Sequence, residues 1–254
     1  MSLVFYNYNL VDKSSTVITA TAESAYFPAS NLKDPRRSKV FRNEASSAQV
    51  VFDFITTETV DSICLVPHIK NGWGFTSVTV QANATNTWGS PAFTTTINTE
   101  IDQEHEIAFK EFASQAYRFW RLTFNGTTFT EVGKVFIGSK LDFGRGPDLN
   151  WSMVENDMSV IQENKYGQAF IDEYGKRKLI NVTYNYMDKN EVDNLFKVID
   201  YNSITRPLFA RFTCEDILNN INRFSGYFYL AQNPEIVNPS YALYNASITL
   251  KGAM

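Results

Sequence analysis

The sequence predicts a mainly β protein: an N-terminal β-sandwich, then an α+β part in which one principal helix packs on a β-sheet. Three observations predict it. Up to residue 146 the chain alternates apolar and polar side chains with a period of two, in short runs separated by turn residues. Gly144, Gly146 and Pro147 in "DFGRGPDLNW" then interrupt any regular ladder and read as a linker. Beyond that break one segment changes to the helical period, with further strands on both sides.

In "LVFYNYNL" the alternation puts Val4, Tyr6 and Tyr8 on one side. "QVVFDFI" sets Val50, Phe52 and Phe54 against Val51, Asp53 and Ile55. "TVDSICLVP" is a more continuous apolar run, as expected of an inner strand. "FTSVTVQAN" alternates Val78 and Val80 with Thr79 and Gln81, and "AYRFWRLTF" shares one face among Trp120, Leu122 and Phe124. "GKVFIGSKLDF" completes the sandwich set.

After the break, "MSVIQEN" and "YGQAFIDEYGKRKLINVTYNYM" read as strands with a turn at Glu173–Gly175, and Ile180, Val182, Tyr184 and Tyr186 share a face. In "DKNEVDNLFKVIDYNS", Asp188 caps the first free amides and Glu191 stands at the capping-box position. Val192, Leu195, Phe196 and Ile199 follow the spacing of an amphipathic helix. "RPLFARF", "FSGYFYL" and "YALYNASITL" return to strand character. The expected division is 1–146 for the sandwich and 147–254 for the α+β part, a sheet with a helix laid on it.

The composition, 44% hydrophobic and 20% charged over 254 residues, supports a sizeable core and argues against disorder. A formal net charge of −4 argues against nucleic-acid binding, because neutralising phosphates calls for a basic excess or stripe. Arg36, Arg37 and Lys39 are only a local cluster. Two cysteines, Cys64 and Cys214, rule out a dense disulfide framework and read as buried thiols. "MSLVFYNYNLVDKSS" lacks the basic and apolar regions of a signal peptide, and no apolar run is long enough to span a bilayer, so no membrane insertion is expected.

Catalysis and metal binding require side chains that converge. The only histidines are His68 and His105, and no H-E-x-x-H, C-x-x-C, G-x-S-x-G or P-loop pattern occurs. The alternating acids Asp102, Glu104 and Glu106 read as a solvated face rather than an acid/base pair. The expectation is a protein that is not an enzyme, with no cofactor and no metal site. Binding has better candidates. "HIKNGWGFTS" puts Trp73 and Phe75 on a glycine-flexible loop beside His68 and Asn71, and Trp88 stands in "NTWGSP". Exposed aromatics of this kind stack on sugars or dock into a partner. The alternative for Trp73, and equally for Trp88, is a side chain folded back over the core. His68, Asn71, Trp73, Phe75 and Trp88 are therefore the candidate ligand or partner residues.

The first part also carries a resemblance. "FPASNLKDPRRSKVFRNE", "VVFDF", "VDSICLVPHI", "YRFWRLTF" and "VGKVFIG" resemble the galactose-binding-like, discoidin-type jelly roll, especially the variant in phage tail proteins. The likeness covers roughly residues 20–142. More weakly, "GKRKLI", the helix after it and "TRPLFARF" are similar to the hub half of distal or minor tail proteins. The resemblance implies a virion structural protein of a phage or prophage tail, assembled in the bacterial host cytoplasm. Its partners would be copies of itself in a ring, other tail proteins, and a host cell-surface glycan reached by the peripheral sandwich. The alternative reading is a carbohydrate-binding module protein with non-catalytic sugar recognition by the sandwich loops. Some members of the group bind a structural calcium near the segment matching "SNLKDP", to which Asn31 and Asp34 could bring oxygens. Asn and Asp are also ordinary turn formers, and a structural corner is the preferred reading here.

Overall fold

The computed structural model describes residues 2–45, 47–67, 74–98, 101–102, 106–126, 129–172, 175–213 and 224–253. Along the chain, β1 (Ser2–Tyr6), β2 (Val17–Ala20) and β3 (Phe41–Asn43) precede the long strand β4 (Ser47–Val66). Then come β5 (Ser77–Asn83), β6 (Phe93–Ile97), β7 (Ile101–Asp102) and a second long strand, β8 (Ile107–Asn125). β9 (Thr130–Val132), β10 (Lys134–Gly138) and β11 (Leu141–Asp142) lead to the glycine–proline break. Beyond it lie β12 (Ser152–Asp157), β13 (Val160–Glu163), β14 (Ala169–Asp172), β15 (Lys176–Met187) and the helix α1 (Lys189–Asn202). β16 (Leu208–Thr213), β17 (Gly226–Leu230), β18 (Ile236–Ser240) and β19 (Leu243–Gly252) complete the order.

β4 and β8 pair with each other along most of their length, but the register shifts between Asp53 and Glu58, where Ile55 takes a φ of 69°. Before the break β4 pairs with β2, and the matching end of β8 pairs with β5. Past it β4 pairs with β10, and β8 with β7. Val50 and Phe52 from one half, and Ile63 and Leu65 from the other, meet in one apolar cluster with Val78, Val80, Trp120, Leu122, Val135 and Ile137. The two long strands thus supply both walls of a sandwich whose inner face is the alternate apolar set seen in the sequence.

The second wall is buried on its outer side as well, which is why "ICLV" is apolar without alternation. Cys64, Val66 and Phe136 point away from the sandwich core and pack on Val4, Tyr6, Phe209 and Tyr227. Those residues belong to a second sheet, ordered β11-β1-β16-β17-β19-β15-β12, with β18 on β19. Its other face carries Leu3, Phe5, Leu208, Ala210, Phe228, Ile248, Leu250, Ile180 and Val182, and Val192, Leu195 and Val198 of α1 cover it. The molecule is four layers deep: outer wall, inner wall, second sheet, helix.

Several placements depart from the sequence reading. Leu141–Asp142, read with the sandwich, pairs with β1 in the second sheet, and Tyr186 leaves the face of Ile180, Val182 and Tyr184 at a register shift and is exposed. Ser2–Tyr6 reads as a sandwich strand, yet it hydrogen-bonds to β16 and β11 in the second sheet. All four of its large side chains are buried, Leu3 and Phe5 toward the helix side and Val4 and Tyr6 toward the sandwich. Only a strand between two cores can bury both faces. Tyr8 lies beyond the strand end, 44% exposed, edge-on to Tyr201. On α1 the capping box forms as expected: Glu191 N donates to Asp188 Oδ1 at 2.9 Å and Asp188 N to Glu191 Oε2 at 2.7 Å. The buried stripe, however, takes Val198 with Val192 and Leu195, and leaves Phe196 46% exposed.

β13 and β14 form a separate two-stranded ladder, continuing the edge hairpin of β12 and β15. Every residue of both strands is exposed, including Val160, Ile161, Phe170 and Ile171. Of the turn expected at Glu173–Gly175, Glu173 and Tyr174 lie outside the described residues.

Candidate functional site: the outer face of the sandwich

Of the five candidate residues, His68, Asn71 and Trp73 lie outside the described residues. Phe75 is not on an exposed tip. It is buried in the sandwich core with its ring centroid 5.1 Å from that of Phe124. The adjoining backbone is packed as tightly: a Cβ on Gly74 would fall 1.5 Å from Phe129 O, and its φ is +67°. The glycine serves a close backbone crossing in a left-handed conformation, and that crossing drives the next side chain inward.

Trp88 stands elsewhere, in the connection between β5 and β6, half-buried against the outer sheet face. Its Nε1 donates to Asn86 Oδ1 at 2.8 Å, and its ring lies 4.6 Å from the guanidinium carbon of Arg121. Arg121 is opposite Val51 on β4 and Gln81 on β5, at the centre of the face that alternation turns away from Trp120 and Leu122. Its Nε donates to Gln81 Oε1 at 3.0 Å, and its Nη2 donates to the same oxygen. Its Nη1 reaches Gln49 Oε1 at 3.4 Å. Thr79, Thr123, Thr94 and Asn83 surround this set on the same face. Beside it, Asp53 is held by a two-pronged ion pair from Arg118, at 2.7 and 2.8 Å. The sequence reading missed Arg121, Gln81 and Gln49. The alternation of "YRFWRLTF" does place Arg121 outward, but the register that brings two glutamines to it is not written in any one segment.

The basic corner resolves as structure. Asn31 Nδ2 donates to Val40 O at 2.8 Å, and the Asp34 carboxylate accepts from Arg36 Nε at 2.9 Å and Nη2 at 2.7 Å. Those side-chain hydrogen bonds hold the Asp34 carboxyl down to about 2. Arg37 turns inward: its Nε donates to Pro67 O at 3.0 Å and its Nη2 lies 2.9 Å from Glu106. Behind the corner the Lys134 ammonium is buried, donating to Asp12 Oδ1 at 2.6 Å, Leu32 O at 2.9 Å and Asp34 O at 3.2 Å. Burial pushes the Lys134 pKa down and the Asp12 pKa up. The Asp34 carboxylate thus faces a guanidinium and its backbone carbonyl an ammonium.

A second polar cluster ties the sandwich to the sheet behind it. Glu111 accepts from Tyr6 Oη at 2.6 Å and Lys140 Nζ at 2.7 Å, and Arg211 Nη1 lies 3.2 Å away. Partial burial works against its charge, but these donors more than offset it and the pKa falls. Cys64 beside it is a buried free thiol, raised by burial, while Cys214 lies outside the described residues. Among the described residues no group of three or more His, Cys, Asp or Glu is placed to hold a metal ion. No helix among them is long and apolar enough to cross a membrane.

No family model matches the sequence, and no curated protein matches it. Solved structures are similar over part of the chain. CpGH89CBM32-5 from Clostridium perfringens, in complex with GalNAc-β-1,3-galactose, has 13% identity and a TM-score of 0.43, over 52% of this chain and 100% of its own. Chitosan-binding module 1 from a chitosanase/glucanase of Paenibacillus sp. IK-5 has 18% identity and a TM-score of 0.41, over 52% and 99%. A Streptococcus pneumoniae fucose binding module, SpX-3, has 11% identity and a TM-score of 0.44, over 52% and 98%.

Proposed function

We propose that this chain is a non-catalytic recognition protein whose sandwich, within residues 1–146, binds a glycan. The observation that carries the reading is the outer face itself. An indole, a guanidinium and two side-chain amides are gathered on an otherwise hydroxyl-rich sheet surface, as flat apolar contact beside directional donors suits a sugar. The carboxylates that converge with other polar groups are engaged as structure: Glu111 by Lys140, Asp53 by Arg118, Asp12 by Lys134. The test is binding of an oligosaccharide panel to the intact protein and to Trp88→Ala. Binding lost in the variant at unchanged fold supports the reading; an intact protein that binds no member of the panel removes it.

A second reading makes residues 147–254 an assembly part, and the chain a structural component of a phage or prophage tail in the virion, ringed with copies of itself and other tail proteins. The solvated apolar arm of β13 and β14 favours it, because an isolated two-stranded hairpin is marginal in water and gains from being covered. Mass measurement of the intact protein in solution, with and without substitutions in the arm, tests this. The two readings are compatible, since an assembled particle can carry a glycan-binding face.

A further inference from the structure

We infer that the Arg121 face binds the anionic group of an acidic saccharide, a carboxylate or a sulfate ester. The inference rests on the glycan reading and adds the ligand's charge. Among the described residues Arg121 lies within ion-pair distance of no carboxylate. Asp53, beside it, is held by both prongs of Arg118. Arg121 is instead held by neutral groups, the Oε1 atoms of Gln81 and Gln49. A guanidinium has five N–H donors and cannot deprotonate, so the charge is present at every physiological pH and part of its fork is unspent.

The orientation of the two glutamines sharpens the chemistry. Because their oxygens are turned to the guanidinium, their amide nitrogens are left for other partners, and a nitrogen of that kind only donates. The site therefore presents the remaining guanidinium N–H groups beside the two glutamine NH2 groups. A ligand rich in acceptors and carrying a negative charge completes it, and planar or tripodal oxyanions match an arginine fork better than a hydroxyl does. The guanidinium lies over the Trp88 ring, which shields one side of it from water. The position is on a sheet face at the β5–β6 connection.

The experiment is calorimetric titration of the intact protein with four probes: a galacturonate oligomer, a sulfated galactose oligomer, a neutral galactose oligomer and inorganic sulfate. The expected result is at least tenfold tighter binding of one acidic oligomer than of the neutral one at low salt, weakening as salt is raised. Arg121→Gln should erase that preference by weakening acidic binding at least tenfold more than neutral binding. Arg121→Lys, which keeps the charge but not the fork, should retain part of it and covers the case in which Arg121→Gln fails to fold. Equal binding of neutral and acidic oligomers, or an unaltered acidic preference in both variants, overturns the inference and leaves the glycan reading standing. Inorganic sulfate bound as tightly as the sulfated oligomer overturns the saccharide part. No binding of any oligomer removes the inference and the reading together.

Discussion

The Lys134 ammonium lies 2.6 Å from the Asp12 carboxylate inside the sandwich, with two backbone carbonyls, from Leu32 and Asp34, as its other acceptors. One side chain on β10 thereby fastens the turn after β1 and the corner at Pro35. The arrangement works only while all its members are present, because a buried charge without its partner is costly. Lys134→Met should lower unfolding free energy by about 3 kcal/mol, and pairing it with Asp12→Asn should recover part of that loss. Urea denaturation of the two single variants and the double variant checks it; strictly additive losses would show that the two charges do not depend on each other.

Glu111 performs a related task between the layers. It accepts hydrogen bonds from Tyr6 on the second sheet and Lys140 after the sandwich, with Arg211 alongside. Glu111→Gln should cost about 2 kcal/mol, the range for hydrogen bonds to a charged group, and Tyr6→Phe about 1 kcal/mol. If the contact between layers forms late in folding, the loss will appear mainly as faster unfolding in stopped-flow measurements.

The corner itself predicts an acid response. Hydrogen bonds from Arg36 hold the folded Asp34 carboxyl at about 2, against 3.8 for the ordinary group. Between those values the unfolded chain binds more protons than the folded one, so stability rises with pH. The contribution is complete above about pH 4 and is lost as the pH falls through 2. Unfolding midpoints measured from pH 5 to pH 2 should therefore fall more steeply for the native chain than for Asp34→Asn. Because the pair is exposed, salt should shrink the difference. Identical acid slopes would refute the assignment.

Phe75 and Trp88 make opposite predictions although the sequence reading treats them alike. Phe75→Ala empties a packed site beside Phe124 and should cost about 3–4 kcal/mol. Trp88→Ala, at a half-buried position over Arg121, should change stability by no more than about 1 kcal/mol while removing oligosaccharide binding. Thermal unfolding and a binding titration on the same two variants separate the roles. A Phe75→Ala protein as stable as the native chain would return that side chain to the loop tip.

What could be read from the sequence follows the range of the physics involved. Period-two alternation is local, so Val50, Phe52, Trp120 and Leu122 were legible as core, and so was the reciprocal cap of Asp188 and Glu191. Phe75 was misread because the cause of its burial is a backbone crossing with Gly126, Phe129 and Thr130, far away in sequence. β1 was misplaced for the same reason: its longer partner is β16, met through Phe209 to Thr213. Arg121 escaped notice because its meaning depends on strand register, which sets Gln81 opposite it and leaves it, among the described residues, without a carboxylate.

The arm formed by β13 and β14 yields the last prediction. Ile161 lies opposite Ile171 and Gln162 opposite Phe170, so each face of the ladder carries apolar side chains that the chain itself leaves in water. Strand edges that must stay solvated are normally blunted with charge, proline or a bulge. Between Val160 and Glu163 only the last residue is charged, and Ala169 to Asp172 repeats that pattern. If a second copy covers the arm, then Ile161→Asp together with Phe170→Asp should reduce the mass measured by light scattering to that of a single chain. The unfolding midpoint of the lone chain should not move, because neither side chain touches the cores behind β15. A native chain that stays single at every concentration would remove the self-assembly reading. A variant that keeps the native mass would move the contact to another surface, leaving the arm without a part in assembly.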